Sequence, residues 1–117
     1  MLNHFKYKDR GSVAILQTPF SYPDGSVIDI SYSKQKNNYL IDDMGDTIFL
    51  LCALNKDETV PDFFGRIDEI CSNCRCDNRA SRKEGEIRML SNIDTLELDI
   101  LLFCQLLIEI SSKFYYL

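Results

Sequence analysis

In Ser26-Val27-Ile28-Asp29-Ile30-Ser31-Tyr32-Ser33-Lys34 apolar and polar residues alternate with period two. Ile28, Ile30 and Tyr32 fall on one side, and Asp29, Ser31 and Ser33 on the other. Successive side chains of a strand point to opposite faces, so the stretch predicts a half-buried β-strand. Just before it, Tyr22-Pro23-Asp24-Gly25 places proline second and glycine fourth, which predicts a type I turn or a slightly longer hairpin loop. The preceding run Ser12–Thr18, with Val13, Ile15 and Leu16, predicts the partner strand, and Pro19 is expected to end it because proline has no amide to donate. On the other side, Gln35-Lys36-Asn37-Asn38 is a polar loop and Tyr39-Leu40-Ile41 resumes apolar character. Together these segments predict a three-stranded antiparallel meander.

Further along, the periodicity becomes helical. Asp46 precedes Thr47–Leu54, and its short carboxylate is placed to accept from the free amides of a helix beginning there. Residues 55–59 read as a polar connection. Thr59, Pro61 and Asp62 supply a cap, a first-turn proline and an acid, so a second helix is expected to begin at Pro61. Phe63, Ile67, Ile70, Cys71 and Cys74 form its apolar face. Residues 75–90 predict a hairpin turning at Lys83-Glu84-Gly85, with Ile87 and Met89 alternating after it. Ser91-Asn92-Ile93-Asp94 then offers caps for a long helix over Ile93–Phe114. Its polar residues Asp94, Gln105, Glu109 and Ser112 gather on one stripe. Such a helix is either the spine of the domain or half of a homodimer interface. The order of elements predicts a single α+β domain over 1–117, an antiparallel sheet packed on one face by helices, with 1–11 expected to be mobile.

Composition narrows the class of object. The chain has 117 residues, 45% apolar and 26% charged, enough for one core without disulfide or metal staples. Thirteen Lys and Arg against 18 Asp and Glu give a formal charge of −5, and no segment concentrates positive charge as phosphate-backbone binding requires. Direct nucleic-acid binding is disfavoured. The most apolar run, Ile100 to Ile110, contains Gln105 and Glu109 and is about half the length of a membrane span. No apolar leader follows Met1–Arg10, and the cysteine count of five is odd, so a cytoplasmic protein with free thiols is expected.

Three segments carry a resemblance. Thr18-Pro19-Phe20, the strand Asp29-Ile30-Ser31-Tyr32 and Leu40-Ile41-Asp42-Asp43-Met44-Gly45-Asp46-Thr47-Ile48 resemble a bacterial and phage family catalogued as domain-of-unknown-function family 1828. The terminal stretch Leu101–Tyr115 is also similar to that family's last helix. The resemblance implies an α+β protein of bacterial or phage origin; it brings no activity and no functional residues.

Candidate chemistry is sparse. Asp42, Asp43 and Asp46 form a dense acidic corner, and with Asp24 or Asp29 they could hold a divalent cation for a metal-dependent hydrolase or nuclease accessory unit. The same three residues are equally explained as a helix cap, a helix-terminus anion and a solvated side chain, which is the commoner arrangement. The Pro23-Asp24 pair has no acid and lysine at the strand spacing a nuclease centre requires. Cys71-x-x-Cys74-x-Cys76 has zinc-like spacing without an evident fourth ligand. His4 is the one imidazole and is remote from every Ser and Cys of interest, and the isolated glycines form no phosphate loop. In Phe63-Phe64 and Phe114-Tyr115-Tyr116-Leu117 one member of each run has to face outward, so Phe64, Phe114, Tyr115 and Tyr116 are the expected contact residues. The reading these features favour is a non-enzymatic, protein-binding module with no cofactor, no membrane contact, and a homodimer through the terminal helix as a further option.

Overall fold

The computed structural model describes residues 6–10, 13–76 and 78–117, the first five as backbone alone. The described residues build one antiparallel sheet from β1 (Lys6–Arg10), β2 (Val13–Ser21), β3 (Val27–Gln35), β4 (Asn38–Asp42), β5 (Ala80–Lys83) and β6 (Glu86–Ser91). Its spatial order is β1-β2-β3-β4-β6-β5, so the late hairpin joins the meander edge to edge through β4 and β6. Four helices complete the fold: α1 (Asp46–Ala53), α2 (Lys56–Thr59), α3 (Phe63–Asn73) and α4 (Leu96–Tyr115).

Register explains which face is covered. Tyr32 pairs with Ile41, Ile41 with Met89 and Met89 with Ala80, a row that faces the helices together with Ile28, Ile30 and Ile87. One residue over, Ser31 pairs with Asp42, Asp42 with Arg88 and Arg88 with Ser81, a polar row on the opposite face. A period-two pattern puts both rows in place at once. Against the apolar row lies α4, whose Ile100, Phe103, Cys104, Leu107, Ile110 and Phe114 are fully buried in the same core. The helix is therefore the spine of this chain, and most of the apolar circumference that suggested a dimer is satisfied within one copy.

Several expectations are corrected. The meander has one strand more than the three expected, Lys6–Arg10, paired along β2 at the sheet edge; the remainder of the segment before Ser12, His4 included, lies outside the described residues. Strand β2 does not stop at Thr18 but continues through Pro19 to Ser21, across a register shift between Gln17 and Ser21. A bulge has no ladder donor to lose at the proline, and Thr18 takes over the pairing. Its hydroxyl donates to the Ile28 carbonyl (2.8 Å) and accepts from the Phe20 amide (3.2 Å). Thr18→Val keeps the shape and removes both bonds; it should cost about 1–2 kcal/mol, read as a lower urea midpoint with unchanged m-value.

The turn at Tyr22–Gly25 closes as expected, with the Gly25 amide donating to the Tyr22 carbonyl at 2.9 Å. Residues 56–59 form the short α2 where only a connection was expected. Helix α3 begins at Phe63, not Pro61, because Asp62 adopts a left-handed φ of 51° and breaks the path from the proline. Neither Thr59 nor Asp62 caps it through a side chain; the Thr59 hydroxyl instead donates to the Asn55 carbonyl. Helix α4 begins at Leu96, since the Asn92 side chain accepts from the Asp94 and Thr95 amides and holds the chain in a turn first. Phe114 is not a surface residue: it is fully buried, its ring 5.4 Å from Phe63.

Candidate functional site

The acidic corner resolves into three carboxylates in three separate surroundings. Asp43 is fully buried at the junction of β4 and α1. Its Oδ1 accepts from the amides of Gly45 (2.8 Å) and Ile87 (3.0 Å), and its Oδ2 from the amide of Thr47 (3.2 Å). The Asp43 amide in turn donates to the Ile87 carbonyl at 3.1 Å, so one residue ties the start of α1 to the middle of β6. Burial pushes the Asp43 carboxyl above its usual range, and these donors oppose that rise. Asp43, not Asp46, therefore serves the helix start: Asp46 lies inside α1 with its side chain in solvent, and Gly45, at φ 80°, is the residue that precedes the helix.

Asp42 turns to the outer face of the sheet, accepting from the Met44 amide and facing Arg88 Nε at 3.6 Å. Its pKa is raised, by burial first and then by neighbouring Glu86. Asp24 accepts from the amide and hydroxyl of Ser26 in its own turn. Among the described residues no three His, Cys, Asp or Glu side chains come together in a metal-holding arrangement, so Asp42, Asp43 and Asp46 do not converge. The same holds for Cys71, Cys74 and Cys76. Cys71 and Cys76 are buried, which pushes both thiols up to about 12, and the half-buried Cys74 donates to the Cys71 carbonyl at 3.1 Å. A thiol held that far above neutral pH is a poor nucleophile.

A polar centre escaped the sequence reading. Asp99, in the first turn of α4 and 1% exposed, accepts from Arg79 Nη1 (2.6 Å) and Nη2 (3.0 Å), from Ser91 Oγ (2.6 Å) and from Thr95 Oγ1 (2.9 Å). Thr95 lies one helical turn before Asp99, and that spacing is the single local signal that could have revealed the site. Arg79 and Ser91 come from the strand side and are brought in by folding alone.

The aromatic residues split as the outward-facing argument requires, with Phe63 and Phe114 inside. Phe64 stays 40% exposed beneath the Arg82 guanidinium, Tyr115 is half-buried and Tyr116 is 75% exposed. Leu117 is 59% exposed, and its carbonyl accepts from Lys56 Nζ of α2.

Between α3 and α4 runs a groove. The helices are antiparallel, since the start of α3 meets the end of α4 at Phe63 and Phe114. The groove consists of two adjoining clefts of about 320 and 220 Å³ that share Asn73 and Glu109. Ile70, Leu102 and Leu106 supply apolar surface to its lining. The charged residues along it are banded: Arg66 and Lys113 at one end, Glu69 and Glu109 next, Arg75 at the far end. None of the five enters an ion pair among the described residues, where the pairs are Arg79–Asp99, Arg82–Asp68 and Arg88 with Asp42 and Glu86.

Among the described residues no helix is long and apolar enough to cross a membrane. No curated protein and no solved structure matches the chain. A family model does: that of the Domain of unknown function DUF1828, over residues 18–110. The match begins at the bulge of β2, takes in the Asp43 junction and the Asp99 centre, and ends inside α4. The chain therefore belongs to the DUF1828 family.

Proposed function

We propose that this is a non-enzymatic, cytoplasmic protein of bacterial or phage origin that works by binding another polypeptide. One observation carries the reading: the buried carboxylates Asp43 and Asp99 are engaged by the protein's own donors, whereas large apolar side chains at the helical end are left facing solvent. Three amides occupy most of the roughly four lone-pair sites of Asp43, and the side chains of Arg79, Ser91 and Thr95 hold Asp99, so both carboxylates are committed to the fold. Exposed Tyr and Phe beside cationic side chains are the composition that recurs at protein–protein contacts. The net charge of −5 supports a polypeptide partner over a phosphate backbone.

The test is capture from a lysate of the natural host, with the native chain compared with a Phe64→Ala/Tyr116→Ala double variant. A polypeptide retained by the native chain and reduced about tenfold or more on the variant is the expected result. Recovery of nucleic acid would contradict the reading. A rise in melting temperature with Mg2+, Mn2+ or Ca2+ that disappears in Asp46→Asn would favour the hydrolase alternative instead. Light scattering on the purified chain distinguishes a monomer from the homodimer through α4.

A further inference from the structure

We infer that the groove between α3 and α4 is the seat of an amphipathic helix from the partner, with acidic, basic and acidic side chains in that order along its flank. The inference rests on the polypeptide-binding reading above and says where and how the partner is held.

The form of the groove selects a helix. Its walls are two antiparallel helices, with no strand edge in it that could pair with an extended peptide, and a third helix laid between two others is a standard way to cover such a seam. From Leu102 to Lys113 it runs about 16 Å, the length of three helical turns. Half-buried Ile70 and Leu102 would receive apolar side chains spaced three or four residues apart, over a floor formed by buried Leu106.

Charge selects the sequence. Arg66 and Lys113 call for an acid at one end, Glu69 and Glu109 for a base about one turn further on, and Arg75 for an acid beyond that. Within this chain the described residues leave these five charges without ion partners, while Arg79, Arg82 and Arg88 are each paired. Opposite bands fix register and suppress misplaced partners. A second copy of the chain does not offer this shape by the same surface, because two concave grooves cannot fill one another.

The experiment uses two fluorescently labelled sixteen-residue helical peptides with the same apolar face. One carries acid, base and acid at four-residue spacing, and in the other each acid and base is exchanged. Anisotropy should show the first binding at least tenfold tighter, and the exposed pair Glu69→Lys/Glu109→Lys should remove that preference while leaving the melting temperature unchanged. Cys74, half-buried at the wide end of the groove, reports occupancy: in a Cys52→Ser background its alkylation should slow when the matched peptide is present. Equal binding of the two peptides, binding of neither, or unprotected Cys74 would overturn the inference. So would a dimer that excludes the peptide. If a host polypeptide is still captured under any of those outcomes, the polypeptide-binding reading stands and the contact lies elsewhere, on the Phe64 or Tyr116 surface.

Discussion

Arg79→Ala is expected to lower the unfolding free energy by about 3–5 kcal/mol in a urea or guanidinium titration. The loss comes from what is left behind. Asp99 remains buried, with Ser91 and Thr95 still bonded to Oδ2, but Oδ1 has no donor and the negative charge has no counterion. Removing one member of a buried pair costs more than the pair contributes, because the survivor keeps its desolvation penalty. Arg79→Lys retains a cation but cannot span both oxygens, so an intermediate loss is expected.

The pH dependence identifies the cause. Burial, the largest single influence on Asp99, raises its pKa, but the bonds from Arg79, Ser91 and Thr95 together with the Arg79 charge outweigh it and hold the carboxyl below its usual range. A folded pKa below the unfolded value of about 3.9 gives stability that is complete above that value and is lost as pH falls through the depressed pKa. The difference between the native chain and Arg79→Ala should therefore be full at neutral pH and shrink as pH falls, first as the unpaired Asp99 of the variant takes up a proton and last as the native Asp99 does below about pH 4. A gap that stays constant with pH would mean that lost packing, not the ion pair, is responsible.

Asp43→Ala is the second large effect, about 3–6 kcal/mol, since it orphans the amides of Gly45, Thr47 and Ile87 at a buried junction and each such donor costs about 1–3 kcal/mol. Asp43→Asn should cost less, about 1–3 kcal/mol. Its carbonyl oxygen can still accept from Gly45 and Ile87, but its NH2 group faces the Thr47 amide, donor against donor. Here the pH sign is reversed. Burial raises the Asp43 pKa, so the stability linked to its protonation is complete below about 3.9 and is lost as pH rises through the elevated folded value. The native chain should gain on Asp43→Asn as the solution is acidified, the opposite of the Arg79 case. Proteolysis of the β4–α1 segment gives an independent readout, because loss of the Asp43 bonds frees the start of α1 from β6.

Much of the architecture is legible without coordinates because it depends on short-range geometry. The alternation from Ser26 to Lys34, the proline and glycine at Tyr22–Gly25, and the helical spacing through Phe114 each reflect sterics or periodicity within a few residues. The aromatic runs at Phe63 and Phe114 likewise show that one ring of each run faces outward, but not which. Phe114 lies in the core, not on the surface, because α3 crosses the end of α4 there, a contact between segments about fifty residues apart.

The rest was decided by elements that meet only in the folded chain. Pro19 continues its strand because Ile28, ten residues beyond Thr18, offers its carbonyl to the Thr18 hydroxyl. Asp46 opens α1 and Asp43 stands three residues before it, and β6 chooses between them by presenting the Ile87 amide, 44 residues away, to Asp43 alone. Asp99 reads as a polar residue in an apolar helix until Arg79 arrives beside it from 20 residues before. Local pattern thus specified strands, turns, helices and the α+β class, since those follow from backbone preference and side-chain period. The partner of each buried polar group, and the banded groove between α3 and α4, follow from the packing of one element on another, which no short window of sequence contains.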